Sequence, residues 1–215
     1  WSSDVCSSDL LTFDVNRVEL FRGPQSSIYG PNALAGFIVL RSNDPGQHQD
    51  SYVSISAGNA STLNIGTAMN LLTGSKFKAR LAAYRGYNNG FVHNEYLDDH
   101  TTNERLETMG RIKLIWNVQP ELKFKTTLLS VKLDNGYDTW SPDNAAFTTY
   151  SDNPGKDSQT LNAAIVKAEY AVTPRTDIYS ITSLSKADMI YSYDSDWGND
   201  DFWANEPYSF DPEVE

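Results

Sequence analysis

The sequence is short of several things. It has one cysteine, Cys6, in 215 residues, so no disulfide can close within the chain. Its longest clearly apolar run, Phe37-Ile38-Val39-Leu40, is far below the roughly 20 residues that a membrane-crossing helix needs. Mean hydropathy is -0.48. Helical spans are excluded; barrel strands, which hide their apolar residues by alternation, are not. Bases are few: 17 Lys and Arg stand against 28 Asp and Glu, for a net charge of -11. A pI near 4.6 excludes nucleic-acid binding, which needs a basic face. There is no initiator Met, and Trp1-Ser2-Ser3-Asp4 lacks the basic start and apolar core of a signal peptide. The sequence is therefore expected to be part of a longer one. Residues 1–10 include Val5-Cys6-Ser7-Ser8-Asp9-Leu10, which looks like a translated sequencing adapter, or else a Ser-rich linker. They are set aside from fold reasoning, and the cysteine goes with them.

Aromatic residues are plentiful, with 12 Tyr and 5 Trp, and 13 Gly and 9 Pro supply turns. Residues 13–22 alternate at their end, Val18 and Leu20 against Glu19 and Phe21, as a half-buried strand does. Gly23-Pro24 stops it. Gln25 to Tyr29 can make a helical turn that Gly30 ends, Pro31-Asn32 restarts the chain, and Gly36 opens a second apolar strand, Phe37 to Arg41. Asn43-Asp44-Pro45-Gly46 is a turn.

From residue 50 the texture changes to strand after strand. The clearest is 62–71, with Leu63, Ile65, Thr67, Met69 and Leu71 on one face and Asn64, Gly66, Ala68 and Asn70 on the other. Noisier segments run over 52–57, 76–87, 106–118, 122–133, 161–172 and 177–193. In the fourth of the seven, Ile112, Leu114, Trp116 and Val118 oppose Arg111, Lys113 and Asn117. In the last, Tyr179, Ile181, Ala187, Met189, Tyr191 and Tyr193 share parity. After the Gly58–Ser61 hairpin, the connections alternate. Residues 73–75, 119–121 and 173–176 are short. Residues 88–105, 134–159 and 194 onward are long and polar. Tight turns at one end and long loops at the other are the habit of outer-membrane barrels.

The candidate sites are few. Ser26-Ser27 lies in no nucleophile elbow, and His48, His93 and His100 have no ligand or triad companions at recognisable spacing, so no catalytic or metal site and no cofactor is expected. Asp194, Asp196 and Asn199 loosely follow a calcium loop. Gly198 is displaced from the expected position, and Asn205 replaces the closing Glu. A solvated acidic loop, running on through Asp200, Asp201, Glu206, Asp211, Glu213 and Glu215, is the plainer reading.

The ordered stretch Arg22-Gly23-Pro24 … Tyr29-Gly30-Pro31-Asn32-Ala33-Leu34-Ala35-Gly36-Phe37-Ile38-Val39-Leu40 closely resembles the end of the plug domain of TonB-dependent outer-membrane receptors, and Val15 to Leu20 resembles that family's preceding strand. Val39-Leu40-Arg41-Ser42 departs conservatively from the Asn-Ile-Xaa-Thr-Lys ending common in the family. The resemblance implies residues 11–46 as the C-terminal end of a small α+β plug domain. It implies residues 47–215 as the start of an all-β, antiparallel transmembrane β-barrel: about seven strands of a barrel of about 22. The signature Arg22, Gly23, Pro24, Tyr29, Gly30, Asn32 and Gly36 is structural, with Arg22 expected to meet a carboxylate at the plug–barrel contact. The implied parent protein sits in the outer membrane of a Gram-negative bacterium. It takes up a scarce small-molecule or metal-chelate substrate, such as a ferric siderophore, haem, cobalamin or a glycan. Its implied partners are TonB with ExbB and ExbD, engaged through an N-terminal region outside this sequence, and outer-membrane lipid. Substrate-binding candidates are the loop aromatics Phe91, Tyr96, Tyr137, Trp140, Phe147, Tyr150, Trp197 and Trp203; the plainer reading of each is interfacial girdle or loop packing. The rival readings are a passive porin-like channel, which would carry no plug signature, and a secreted carbohydrate-binding β-sandwich, which would have loops of similar length at both ends.

Overall fold

The computed structural model describes residues 12–24 and 36–199. Among them every regular element is a strand: β1 (Val15–Arg22), β2 (Gly36–Ser42), β3 (Ser51–Ala57), β4 (Leu63–Thr73), β5 (Phe77–Asn88), β6 (His93–Asn94), β7 (Arg105–Gln119), β8 (Leu122–Tyr137), β9 (Thr148–Thr149), β10 (Gly155–Thr173) and β11 (Thr176–Ser192). The helical turn expected over 25–29 lies outside the described residues.

Seven strands form one antiparallel sheet in the order β11-β10-β8-β7-β5-β4-β3, so each strand pairs with its sequence neighbour among the long ones. The sheet does not close. β1 and β2 form a separate antiparallel hairpin, with Phe21 and Phe37 stacked 4.8 Å apart near its tip. β6 and β9 are a short parallel pair inside the two long loops.

Directly opposed residues in an antiparallel ladder share a face, so the register sorts every side chain. One row across the sheet is Met69, Leu81, Ile112, Leu128, Ala164 and Leu184; another is Phe77, Trp116, Phe124 and Ala168. These lie on the outer face, where Ile65, Leu72, Leu114 and Leu184 are exposed. On the opposite, inner face are Gly66, Ala68, Asn70, Arg80, Ala82, Met109 and Arg111, and it is here that most of the sheet's buried residues lie, Ala79 on the outer face being the exception among the described residues. The pattern is inverted relative to a soluble sheet: small, polar and charged side chains are covered, and large apolar ones face out. Phe77, Trp116 and Phe124 stack in sequence beside the short turns, at ring separations of 5.7 and 5.8 Å. β11 departs from this pattern. Its apolar parity, Tyr179, Ile181, Met189 and Tyr191, lies on the inner side.

The strands match the sequence reading at their middles but outrun it at their upper ends. β8 extends to Tyr137 and β10 begins at Gly155, where 134–159 reads as loop. Asp134, Asn135, Lys156 and Asp157 pair in register although nothing apolar marks them. Backbone hydrogen bonds continue the ladder past the point where hydrophobic patterning stops.

Among the described residues the sheet ends in two open edges, β3 and β11, beneath an exposed apolar face. Such edges template further pairing. Without detergent, the isolated chain is therefore expected to self-associate on sedimentation; a stable monomer would contradict the exposed-face assignment.

Candidate functional site

The hairpin is fixed to the inner face of the sheet at its base. Asp14 has φ of 56°, a left-handed conformation that Asp tolerates better than most residues. Its carboxylate accepts from Arg80 Nη2 at 2.6 Å and Nε at 3.0 Å, on β5, and from Arg111 Nη2 at 3.3 Å, on β7. Arg111 also donates to the carbonyls of Phe13 and Asp14, and Arg80 to Asn70 Oδ1 at 3.1 Å. Asn43 closes the other side, its Nδ2 donating to Asp14 Oδ1 at 2.8 Å. Lys113 Nζ reaches the Ser42 carbonyl and Asp44 Oδ1 at 2.9 and 2.6 Å. Asp14 is 5% exposed. Burial alone would push its carboxyl up. The hydrogen bonds from Arg80 and Asn43 and the charges of Arg80 and Arg111 outweigh that and hold it below its ordinary value.

Beside the carboxylate, the Phe13 ring lies between Tyr52 and Tyr84, with centroids 5.6 and 5.7 Å away. It rests on Gly66, where any Cβ would overlap the ring. Glycine is needed here for close approach. At the hairpin itself, Gly23 and Gly36 have φ of 82° and 133°, which L side chains rarely adopt. Arg22 and Pro24 are exposed on the same hairpin. Among the described residues, the ion contact between the hairpin base and the sheet is made by Asp14 with Arg80 and Arg111. Tyr29, Gly30 and Asn32 lie outside the described residues.

The second constellation is at the long-loop end. Asn94, in β6, and Thr149, in β9, are each 0% exposed. Asn94 Nδ2 donates to Asp138 Oδ2 at 2.9 Å and to the Ser151 carbonyl at 2.8 Å, and Thr149 Oγ1 donates to the same Asp138 oxygen at 2.8 Å. Ser151 Oγ donates to Asp194 Oδ2 at 2.6 Å, and the Asp152 amide to the Gly198 carbonyl at 3.1 Å. Three loops far apart in sequence thus share one polar core. Burial, reinforced by the adjacent Asp196 carboxylate, raises Asp194 above its ordinary value against the opposing Ser151 bond.

Around this core sit the loop aromatics. Trp140 and Trp197 stack at 5.8 Å with planes 29° apart. Tyr137 meets Tyr191 at 5.2 Å, and Tyr191 meets Tyr193. Tyr150 donates its hydroxyl to Asp143 at 3.2 Å. Phe91 and Tyr96 are exposed, and Phe147 is 69% exposed. Phe147 and Trp197 have φ of 63° and 57°, unusual for bulky residues and typical of positions held by their surroundings. Trp203 lies outside the described residues. Of the candidates, the structure brings together Trp140 with Trp197, and places Tyr137 against Tyr191 of the last segment. His93 and His100, distant from any motif in sequence, stack at 3.9 Å beside Glu95 and Asp98. Among the described residues no group of three or more His, Cys, Asp or Glu is arranged to hold a metal.

Two predictions follow from these contacts. Asp14→Asn keeps the backbone conformation but leaves Arg80 and Arg111 buried without their counter-charge, a loss of about 3–5 kcal/mol. It should accelerate exchange of the Asn43 amide, which donates to the Asp14 carbonyl. Because the folded Asp14 value is depressed, its contribution is present above the ordinary carboxylate range and disappears as pH falls through the lower folded value; in strong acid, variant and parent should converge. Asp194 has the opposite sign. Its raised value means the loop core is tightest in acid and loosens as pH rises through the folded value. Asp194→Asn should abolish this pH dependence in the intrinsic-rate-corrected exchange of the Asp152 amide.

No protein-family model matches the chain. Solved structures do. The ferric-catecholate import receptor Fiu from Escherichia coli K12, in its open form, superposes with a TM-score of 0.69 at 19% identity, over 85% of this chain and 30% of the receptor. The ferric yersiniabactin uptake receptor FyuA from Yersinia pestis gives 0.74 at 17% identity, with the same coverage. The siderophore receptor PiuA from Acinetobacter baumannii gives 0.66 at 17%, over 84% of this chain and 27% of the receptor. The chain thus spans less than a third of the length of each. Its hairpin and open seven-stranded sheet have the fold of the corresponding part of a siderophore-receptor barrel.

Proposed function

We propose that this chain is the end of the plug domain, residues 11–46, and the first strands of the barrel, residues 47–215, of a TonB-dependent outer-membrane receptor. The observation that carries the reading is the inverted sheet: apolar residues on the open outer face, and arginines on the inner face held by a carboxylate from the preceding hairpin. A sheet of this kind is stable where the outside is hydrocarbon. A carbohydrate-binding β-sandwich would cover that face with a second sheet. A passive channel would have no reason to carry the Asp14 seat.

The parent protein binds a ferric siderophore at the cell surface and passes it inward when TonB, energised through ExbB and ExbD, pulls on the plug. The structural neighbours are named as receptors for ferric-catecholate import, ferric yersiniabactin uptake and siderophores, which supports the substrate class. In this chain the stacked Trp140 and Trp197 offer an aromatic surface for an aryl-bearing chelate.

The test is uptake of radiolabelled iron as a catecholate complex by a Gram-negative host expressing the full-length gene product. Uptake should vanish when TonB is deleted. Replacing Trp140 and Trp197 together by Ala should raise the apparent Kd about tenfold, the order expected for two aromatic contacts. Uptake that persists without TonB would refute the energy-coupled reading.

A further inference from the structure

The outer face is not uniformly apolar. One row across it, Thr67, Ala83, Gly110, Ser130, Asn162 and Lys186, consists of small and polar residues. A Cβ added at Gly110 would meet nothing within 4 Å, so the space over it is open. The recess is an open depression of about 560 Å³. Leu81, Ile112, Leu128 and Leu184 form its wall on the short-turn side, and Ser130, Asn162 and Lys186 its rim on the long-loop side. Ser130 Oγ donates to Asn162 Oδ1 at 2.9 Å, which leaves the amide's Nδ2 as a donor at the rim.

The next row towards the long loops is Arg85, Thr108, Lys132, Thr160 and Asp188. Lys132 and Lys186 therefore flank Thr160 and Asn162. Their neighbouring carboxylates, Asp134 and Asp188, lie 3.8 and 3.4 Å away, and both lysines are largely exposed. Pairs of that length and exposure hold a lysine weakly, so the ammonium groups are available to a stronger anion. An apolar trough that ends in two ammonium groups, a hydroxyl and an amide complements an amphiphile: hydrocarbon below, phosphate above.

We propose that the outer face carries a specific site for a phosphate-headed lipid of net negative charge, with one acyl chain in the depression over Gly110 and the headgroup between Lys186, Asn162 and Lys132. The proposal rests on the reading of the outer face as the membrane face. A soluble anion would need no apolar trough, and an acyl chain alone would need no lysines. Both halves of the site are required.

The experiment uses the full-length gene product, purified in detergent and offered phosphatidylglycerol or phosphatidylcholine of the same chains, with retained lipid read by native mass spectrometry. Phosphatidylglycerol should be retained in preference. Lys186→Ala removes a charge-assisted contact and should weaken its retention about tenfold. Gly110→Leu fills the trough and should weaken retention of both lipids. Equal retention of the two headgroups, or retention unchanged in both variants, would overturn the site, as would a dimer whose interface covers Gly110. A spin label at Thr126→Cys in an otherwise cysteine-free background, on the same face, reports separately on the membrane reading. Accessibility to dissolved oxygen rather than to a water-soluble nickel complex supports that reading whatever the lipid selectivity. The reverse result would overturn both the reading and the site.

Discussion

One carboxylate holds two arginines beneath the hairpin, and the rest of the inner face is arranged around that contact. Arg80 and Arg111 are buried on neighbouring strands and cannot relax away from one another. Removed from water without an anion, each would cost several kcal/mol. Asp14 answers both, and Asn43 and Asn70 occupy the remaining acceptor and donor positions. Such a contact adds little over well-packed hydrocarbon, but losing one partner costs much. Its value lies in position: it seats the hairpin at one place on the wall. Phe13 against Gly66 adds a steric key beside the electrostatic one.

Much of this fold was legible in the sequence because a wide barrel wall needs only period-two patterning and turns. Leu63 to Leu71 announces its two faces, and Arg111 and Lys113 against Ile112 and Leu114 do the same. The alternation of short and long connections set the direction of each strand. Legibility fails where patterning gives way to hydrogen bonding alone, as at Asp134 to Gly136 opposite Lys156 and Asp157. Asp14 was invisible for another reason. It is a polar residue before a strand, and its partners are 66 and 97 residues away. The loop core shows the same limit. Asn94, Asp138, Thr149 and Ser151 are ordinary loop residues until the chain meets itself. The aromatic candidates were readable as a class, but not which of them stack.

Two regions of the molecule use polar groups in opposite ways. Under the hairpin, charge is concentrated and paired. Among the loops, neutral side chains and a few carboxylates make a dense network in which a single oxygen of Asp138 serves two donors. The first fixes one element firmly. The second ties several together while leaving Trp140, Phe147 and Phe91 facing out, the arrangement wanted where a binding surface must be steady without being covered.

The long span between Asp14 and Arg111 also sets an order of assembly. Within the sheet each strand meets a partner adjacent in sequence, so the loops to be closed are small and the wall can zip progressively. The hairpin's seat does not exist until β5 and β7 lie side by side. Closing 97 residues onto a half-formed wall would spend chain entropy with no compensating contact. The first residues of the described chain are thus among the last to find their place, and nascent wall must wait with two arginines exposed until an upstream carboxylate returns to cover them.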